Sequence, residues 1–105
     1  MVSNSKYKVI VSDRVKRMLG THIRFIAQVN KEAATAKKKE IMAAMRSLKR
    51  MPQRFPYFDE LYITPNKYHK MFIEKWYLVL YQIQDDTVYV EFIIDCRKEY
   101  SWLIK

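Results

Sequence analysis

Apolar and polar side chains alternate most clearly in the last third of the chain. Two runs rich in β-branched and aromatic residues, 68–83 and 88–97, are typical of strands because such side chains fit a pleated surface. The polar segment Gln84–Thr87 between them predicts a tight turn, and a reversal near Lys75 and Trp76 divides the first run in two. The pattern therefore predicts three antiparallel strands joined by short turns.

Alternation along the last of these strands assigns its side chains to two faces of the sheet. One face is entirely apolar and is predicted to be buried: Val88, Val90, Phe92, Ile94 and Cys96. The other face is more polar and is predicted to be largely open: Tyr89, Glu91, Ile93, Asp95 and Arg97. Since only one face needs to pack against another layer, we expect the functional surface on the open face.

The first half of the chain predicts a strand and two helices. Residues 7–11 alternate as a short strand, and Ser12 is well placed to cap a following helix whose first turn holds Asp13. Helical spacing predicts one buried stripe on this helix: Val15, Met18, Leu19, His22, Ile26 and Val29. A histidine in such a stripe is interpreted as a hydrogen-bonded core residue. A second helix is predicted over 31–48, with an apolar edge of Ile41, Ala44, Met45 and Leu48.

The order of these elements predicts the fold class. We expect an α+β fold: a small, mainly antiparallel four-stranded sheet with an N-terminal helical hairpin packed on one face, in the order β-α-α-β-β-β. The 105 residues suit a single domain over 1–105. The segment 51–66 holds all three prolines and many aromatic side chains, so it must pack down as an irregular loop. In the core, Val90, Phe92 and Ile94 are expected to lie beneath Met18, Leu19, Ile26 and Met45.

Charge and composition narrow the functional classes. The formal net charge of +9 favours an anionic partner such as nucleic acid, a ribosome or an acidic protein. One glycine excludes a glycine-rich phosphate loop, and one cysteine with two histidines offers neither a zinc pattern nor an internal disulfide. No cofactor and no metal are expected. The sequence shows no signal peptide and no long apolar span, so a soluble, cytoplasmic protein is predicted.

Cationic and polar side chains collect at the ends of the predicted C-terminal strands. They are Lys67, His69, Lys70, Lys75, Arg97, Lys98 and Tyr100. If the start of the second strand and the end of the fourth lie at the same end of the sheet, Lys70 and Arg97 meet across one phosphate. His69 would then move a proton, and Tyr100 would stack on a base or donate a proton. Such a set suits RNA cleavage by the 2′-hydroxyl; the alternative is an ordinary solvated strand end.

With these segments identified, the sequence resembles the RelE/ParE superfamily of toxins from type II toxin–antitoxin systems. The resemblance covers nearly the whole chain. It rests on the order of elements, on YLVLYQI at 77–83, and on VYVEFIIDCR at 88–97 with Tyr100 after it. It implies one of two activities, since RelE-like members cleave messenger RNA in the ribosomal A site without a metal and ParE-like members inhibit DNA gyrase. It also implies an antitoxin that wraps around the toxin.

The resemblance also implies roles for individual residues. In RelE-like toxins, basic strand residues and a basic-aromatic C-terminal segment act on RNA. Here His69 or Lys70 would match the second-strand position, and Arg97 or Lys98, with Tyr100, the C-terminal ones. The catalytic residues predicted on this basis are His69, Lys70, Arg97 and Tyr100. Among the other cations of the strand-end cluster, contacts with nucleic acid are predicted for Lys67, Lys75 and Lys98. The third strand departs from the family, because Leu78 follows Tyr77 where an arginine is common. Alternation would place an apolar strip on the open face, which indicates a groove for an antitoxin segment: Leu78, Leu80, Tyr89 and Ile93.

Three functions therefore stay open at this point. The first is a ribosome-dependent endoribonuclease toxin, which the cationic cluster favours and Leu78 disfavours. The second is a non-enzymatic toxin that binds DNA gyrase. The third is a basic RNA-binding module without toxicity. On balance the sequence predicts metal-independent cleavage of messenger RNA on the ribosome, with a cognate acidic antitoxin as the partner.

Overall fold

Four strands and two helices follow one another in the predicted order. The computed structural model describes residues 6–74 and 77–95. The strands are β1 (Lys8–Val11), β2 (His69–Ile73), β3 (Tyr77–Gln84) and β4 (Thr87–Asp95), and the helices are α1 (Asp13–Val29) and α2 (Lys31–Arg46). Two single 3₁₀ turns, Ser47–Lys49 and Pro52–Arg54, follow α2. Within the described residues no helix is both long and apolar enough to cross a membrane.

Polar side chains set the boundaries of both helices. Ser12 caps α1, as predicted, because its hydroxyl accepts a hydrogen bond from the backbone N–H of Val15 at 3.1 Å. Asn30 serves both helices: its backbone N–H donates to the Ile26 carbonyl at the end of α1, and its side-chain oxygen accepts from Ala33 at the start of α2. One residue thus joins the helices, which forces them into a hairpin.

The sheet is mixed, with strand order β1-β4-β3-β2. The predicted antiparallel pairs β2–β3 and β3–β4 are present, and β1 pairs parallel to β4 at the far edge. The β3–β4 turn lies at Asp85 and Asp86, where Asp85 takes a φ of 56°. Aspartate tolerates this left-handed conformation better than most residues. The tight turn predicted over Gln84–Thr87 is therefore confirmed.

A β-bulge in β4 changes which face each side chain occupies. Leu80 pairs with Phe92 but the next residue, Tyr81, pairs with Val90, so Glu91 is an extra residue on β4. A bulge of this kind shifts the alternation by one residue. Val88, Val90 and Ile93 consequently share the helix-side core, whereas Phe92 and Ile94 lie on the opposite face. The predicted burial of Phe92 and Ile94 beneath the helices is wrong, and so is the predicted open position of Ile93.

The main core lies between the helices and the sheet. Its helical part consists of Val15 and Leu19 from α1, Ile41 and Met45 from α2, and Leu48 from the turn that follows. The buried stripe of α1 is narrower than predicted, because Met18 is exposed and Val29 is 85% exposed. The helices therefore cover the sheet through fewer side chains than the spacing indicated.

A second, smaller core, which we call the loop-side core, forms on the other face of the sheet. Leu78 and Leu80 are buried there against Phe58 from the loop that leads into β2. The loop is held along the edge of β2 by backbone hydrogen bonds, from Phe58 N–H to the Tyr68 carbonyl at 2.7 Å and from Lys70 N–H to the Pro56 carbonyl at 2.9 Å. The face that was predicted to be open is thus covered at β3, where the aromatic loop packs down.

Candidate functional site

Three members of the predicted cationic cluster lie in the described part of the chain: Lys67, His69 and Lys70. Lys75, Arg97, Lys98 and Tyr100 fall outside the described residues, as does Cys96. The predicted catalytic and nucleic-acid roles of those positions stay predictions. Among the described residues, no group of three or more His, Cys, Asp and Glu side chains is arranged to hold a metal ion.

The register of the sheet separates the start of β2 from the end of β4. His69 lies opposite Tyr81, whereas Ile73, at the other end of β2, lies opposite Tyr77, which in turn pairs with Asp95. Because β2 and β4 are both antiparallel to β3, they run in the same direction, and their C-terminal ends are neighbours. The start of β2 is therefore four residues, or about 13 Å, from Ile73, the β2 residue in line with Asp95 across the sheet. The expectation that these two ends meet is wrong.

His69 is enclosed instead of standing open to a substrate. The side chain is only 7% exposed. Its ring lies between the rings of Tyr57, at a centroid distance of 4.3 Å, and Tyr81, at 5.3 Å. Its Nδ1 lies 2.7 Å from the Phe55 carbonyl oxygen, which can only accept, so Nδ1 carries the proton and donates it. These contacts are those of a structural histidine that ties the loop to the sheet.

The predicted antitoxin strip does not form an exposed surface. Leu78 and Leu80 are buried under Phe58, and Ile93 is 5% exposed on the helix side. Of the four predicted residues, Tyr89 alone is partly exposed. The sequence showed the correct face for Leu78 and Leu80, but the loop that covers them comes from a distant segment.

A different cleft opens between α1 and the C-terminal ends of β3 and β4. This α1 cleft has a volume of about 490 Å³ and is lined by Arg17, Met18, Leu19, Thr21, His22, Tyr77, Ile93 and Asp95. Its floor holds a polar contact, in which His22 Nε2 lies 2.5 Å from the Tyr77 hydroxyl and His22 Nδ1 lies 3.8 Å from an Asp95 carboxylate oxygen. The bulge matters here, because it turns Asp95 toward the helices.

The outer edge of the α1 cleft continues as an apolar strip along the helix. Met18 and Val29 are exposed, and Phe25 between them is 60% exposed. Spacings of seven and four residues place the three side chains on one side of α1. Sequence reasoning missed this strip because it placed Met18 and Val29 on the buried face of α1 and left Phe25 unassigned, whereas α2 and the sheet cover only part of that face.

An ion-pair network near Tyr77 ties α2 to Glu74, the residue that follows β2. Lys37 Nζ lies 2.9 Å from carboxylate oxygens of both Glu40 and Glu74, and 5.8 Å from the centre of the Tyr77 ring. Partial burial acts to lower the pKa of Lys37, but the hydrogen bonds to the two carboxylates outweigh it and raise the pKa above 10.5. The network holds the helical hairpin against the sheet beside the cleft.

The chain was compared with models of known protein families, with curated proteins and with solved structures. The model of the family described as ParE toxin of type II toxin-antitoxin system, parDE, matches residues 9–100. A solved structure described as the chromosomal ParDE TA system from P. aeruginosa has the same fold, with a TM-score of 0.71 at 10% sequence identity, over 88% of this chain and 98% of that one. No curated protein is significantly similar to the chain.

Proposed function

Because the chain belongs to the ParE toxin family of type II toxin–antitoxin systems, we propose that it arrests growth by binding and inhibiting DNA gyrase. A toxin of this type has a cognate antitoxin as its partner. The observation that carries the proposal is the family match over residues 9–100, which includes all of the sheet except the first residue of β1. The action proposed is binding, with no chemical step performed by the toxin.

The surroundings of His69 and Leu78 support binding over catalysis. His69 is enclosed by two tyrosine rings and a backbone carbonyl, which leaves it poorly placed to move a proton between a substrate and water. Leu78, at the position where an arginine is common in RelE-like toxins, is part of the loop-side core. Cleavage of messenger RNA is therefore the second candidate and becomes an outcome of the test.

The antitoxin is proposed to cover the α1 cleft and the apolar strip beside it. Met18, Phe25 and Val29 would be withdrawn from water by an antitoxin segment, and one of its apolar side chains would enter the cleft beside Tyr77. The toxin has a net charge of +9, so an acidic antitoxin would be attracted over a distance and would associate more slowly as salt rises.

Two measurements separate gyrase inhibition from RNA cleavage. Purified toxin is added to a gyrase supercoiling reaction on relaxed plasmid, and transcripts are mapped in cells after toxin induction. Inhibition of supercoiling together with intact transcripts is the expected result. Normal supercoiling together with cleavage of translated messenger RNA would overturn the gyrase proposal and support the endoribonuclease.

The antitoxin surface is tested by charge substitution on the exposed strip. Phe25→Asp is expected to remain toxic when the antitoxin is co-expressed, because a carboxylate on the strip prevents apolar burial. Leu61→Asp is the matched control, since Leu61 is also an exposed apolar residue but lies on the loop across the sheet. Equal rescue of both variants by the antitoxin would show that the antitoxin docks elsewhere.

A further inference from the structure

Four cationic residues lie in the two segments that come together where α2 ends and the chain enters β1. This basic corner consists of Lys6, Arg46, Lys49 and Arg50, all of which are exposed. Two backbone contacts bring the distant segments together: Lys6 forms an isolated antiparallel bridge with Arg50, and the N–H of Tyr7 donates to the Lys49 carbonyl at 2.8 Å. Among the described residues, none of the four makes an ion pair with a carboxylate.

The basic corner places like charges next to each other, although cross-strand pairs usually combine opposite charges. Lys6 and Arg50 are direct cross-strand partners, and like charges in that position destabilise a strand pair. The corner is nevertheless held in shape by Arg54, whose guanidinium donates to the carbonyls of Met51 at 3.1 Å and Arg50 at 2.5 Å. A fixed concentration of positive charge without a described acidic partner is suited to binding a polyanion.

The basic corner continues into a cleft that carries aromatic rings. Gln53 links the two, because its side-chain amide donates to the Tyr7 hydroxyl at 2.5 Å and also lines this second cleft. The His69 cleft, as we call it, has a volume of about 440 Å³ and is lined by Gln53, Tyr57, Asn66, Lys67, His69 and Ile83. Its described lining residues include a further cation and two amide side chains, and none of them carries a carboxylate.

Tyr57 is the outer member of a stack of three rings. The ring of Tyr57 rests on His69 at 4.3 Å with an interplanar angle of 30°, and His69 rests on Tyr81 at 5.3 Å with an angle of 15°. Tyr57 is still 42% exposed, although one face of its ring is covered by His69. A rigid, half-exposed aromatic ring beside cations is the arrangement on which an unpaired nucleic-acid base stacks.

We propose that the basic corner and the His69 cleft together bind single-stranded nucleic acid. The corner contacts the phosphates, one base stacks on Tyr57, and Lys67 contacts the phosphate next to that base. A duplex keeps its bases stacked inside, so it offers this surface phosphates and base edges but no free base face to stack on Tyr57. A peptide made only of Asp and Glu has no aromatic ring to stack on Tyr57. The surface is separate from the α1 cleft and its apolar strip, and its binding does not depend on gyrase inhibition.

The test uses the full chain made by cell-free synthesis and fluorescence anisotropy with a labelled twelve-nucleotide oligothymidine. Oligouridine of the same length compares RNA with DNA, and binding of either supports the proposal. Tyr57→Leu keeps an apolar cover on His69 but removes the ring, and it is expected to weaken binding about 5- to 150-fold, the range for one lost stack. Tyr62→Leu is its control, because Tyr62 is 93% exposed on the same loop and is not part of the ring stack.

The cations are tested by a matched pair of double variants. Lys49→Gln with Arg50→Gln is expected to weaken binding and to reduce the slope of log K against log salt by about 1.4, since each phosphate contact of a single strand contributes about 0.7. Lys38→Gln with Lys39→Gln removes the same charge from the exposed surface of α2 and should leave the slope nearly unchanged. Equal effects of the two pairs, equal effects of Tyr57→Leu and Tyr62→Leu, or equally tight binding of duplex or polyglutamate would each overturn the proposal. Circular dichroism confirms that every variant is folded.

Discussion

Ile93 and Ile94 are adjacent isoleucines on opposite faces of the sheet, and the bulge at Glu91 decides which of them faces the helices. Ile93 is 5% exposed in the helix-side core, whereas Ile94 is only partly buried beside the loop-side core. Substituting each with alanine removes the same three carbon atoms from two different environments. The structure predicts that Ile93→Ala is the more destabilising change, and simple alternation along β4 predicts the reverse.

The magnitude follows from burial. Three methylene-sized groups are worth about 2.4 kcal/mol of transfer free energy when they are fully buried, and the cavity left at Ile93 raises the total to about 3–4 kcal/mol. Partial exposure of Ile94 lowers its cost to about 1–2 kcal/mol. A difference of about 2 kcal/mol corresponds to a gap in melting temperature of about 8–16 °C for a domain of this size.

Urea denaturation, monitored by circular dichroism on the toxin alone, measures the loss of unfolding free energy for both variants. The slope of the unfolding free energy against urea should be the same for the two variants, so that the midpoints compare stability directly. A larger loss for Ile94→Ala than for Ile93→Ala would refute the bulge and return β4 to simple alternation. Equal losses would mean that the two cores are buried to the same extent.

Three further changes test other parts of the fold. Ser12→Ala should lower the free energy of unfolding by about 1 kcal/mol, measured by urea denaturation, because the first turn of α1 loses its capping oxygen. Tyr81→Phe should cost about 1–3 kcal/mol in a thermal melt, because its buried hydroxyl donates to a backbone carbonyl at 2.6 Å that is left without this donor. Hydrogen bonding with Glu40 and Lys37 lowers the pKa of Glu74 below 4.5, so its contribution is present above that pH and is lost as the pH falls. Glu74→Gln should therefore destabilise the protein at pH 7 and have progressively less effect below pH 4.5, as urea midpoints across pH will show.

The secondary structure was predictable because its signals are local. Ser12 and Asn30 mark the helix ends through their side-chain oxygens, and the two aspartates mark the β3–β4 turn. The bulge was not predictable, because Glu91 is polar and fits an outward position in either register. The parallel pairing of β1 with β4 joins segments about eighty residues apart, and no local pattern specifies it.

The functional surfaces were less predictable than the fold. His69 carries the residue type of a proton-transfer group, but its burial depends on Tyr57 and the Phe55 carbonyl, which belong to an irregular loop. Burial of Leu78 depends in the same way on Phe58. The exposed strip on α1 was hidden because periodicity shows that a helix has an apolar face without showing how much of it a neighbour covers.

The pairing of β1 with β4 has a consequence for the synthesis of the toxin. Translation proceeds from the N-terminus, so β1 and both helices are synthesised well before Thr87–Asp95. Until that strand is made, β1 has no partner and the apolar side chains of the helices have no sheet to cover. An unfinished chain therefore cannot present the complete folded surface, and a fragment that ends before residue 87 lacks the strand that joins β1 to the rest of the sheet.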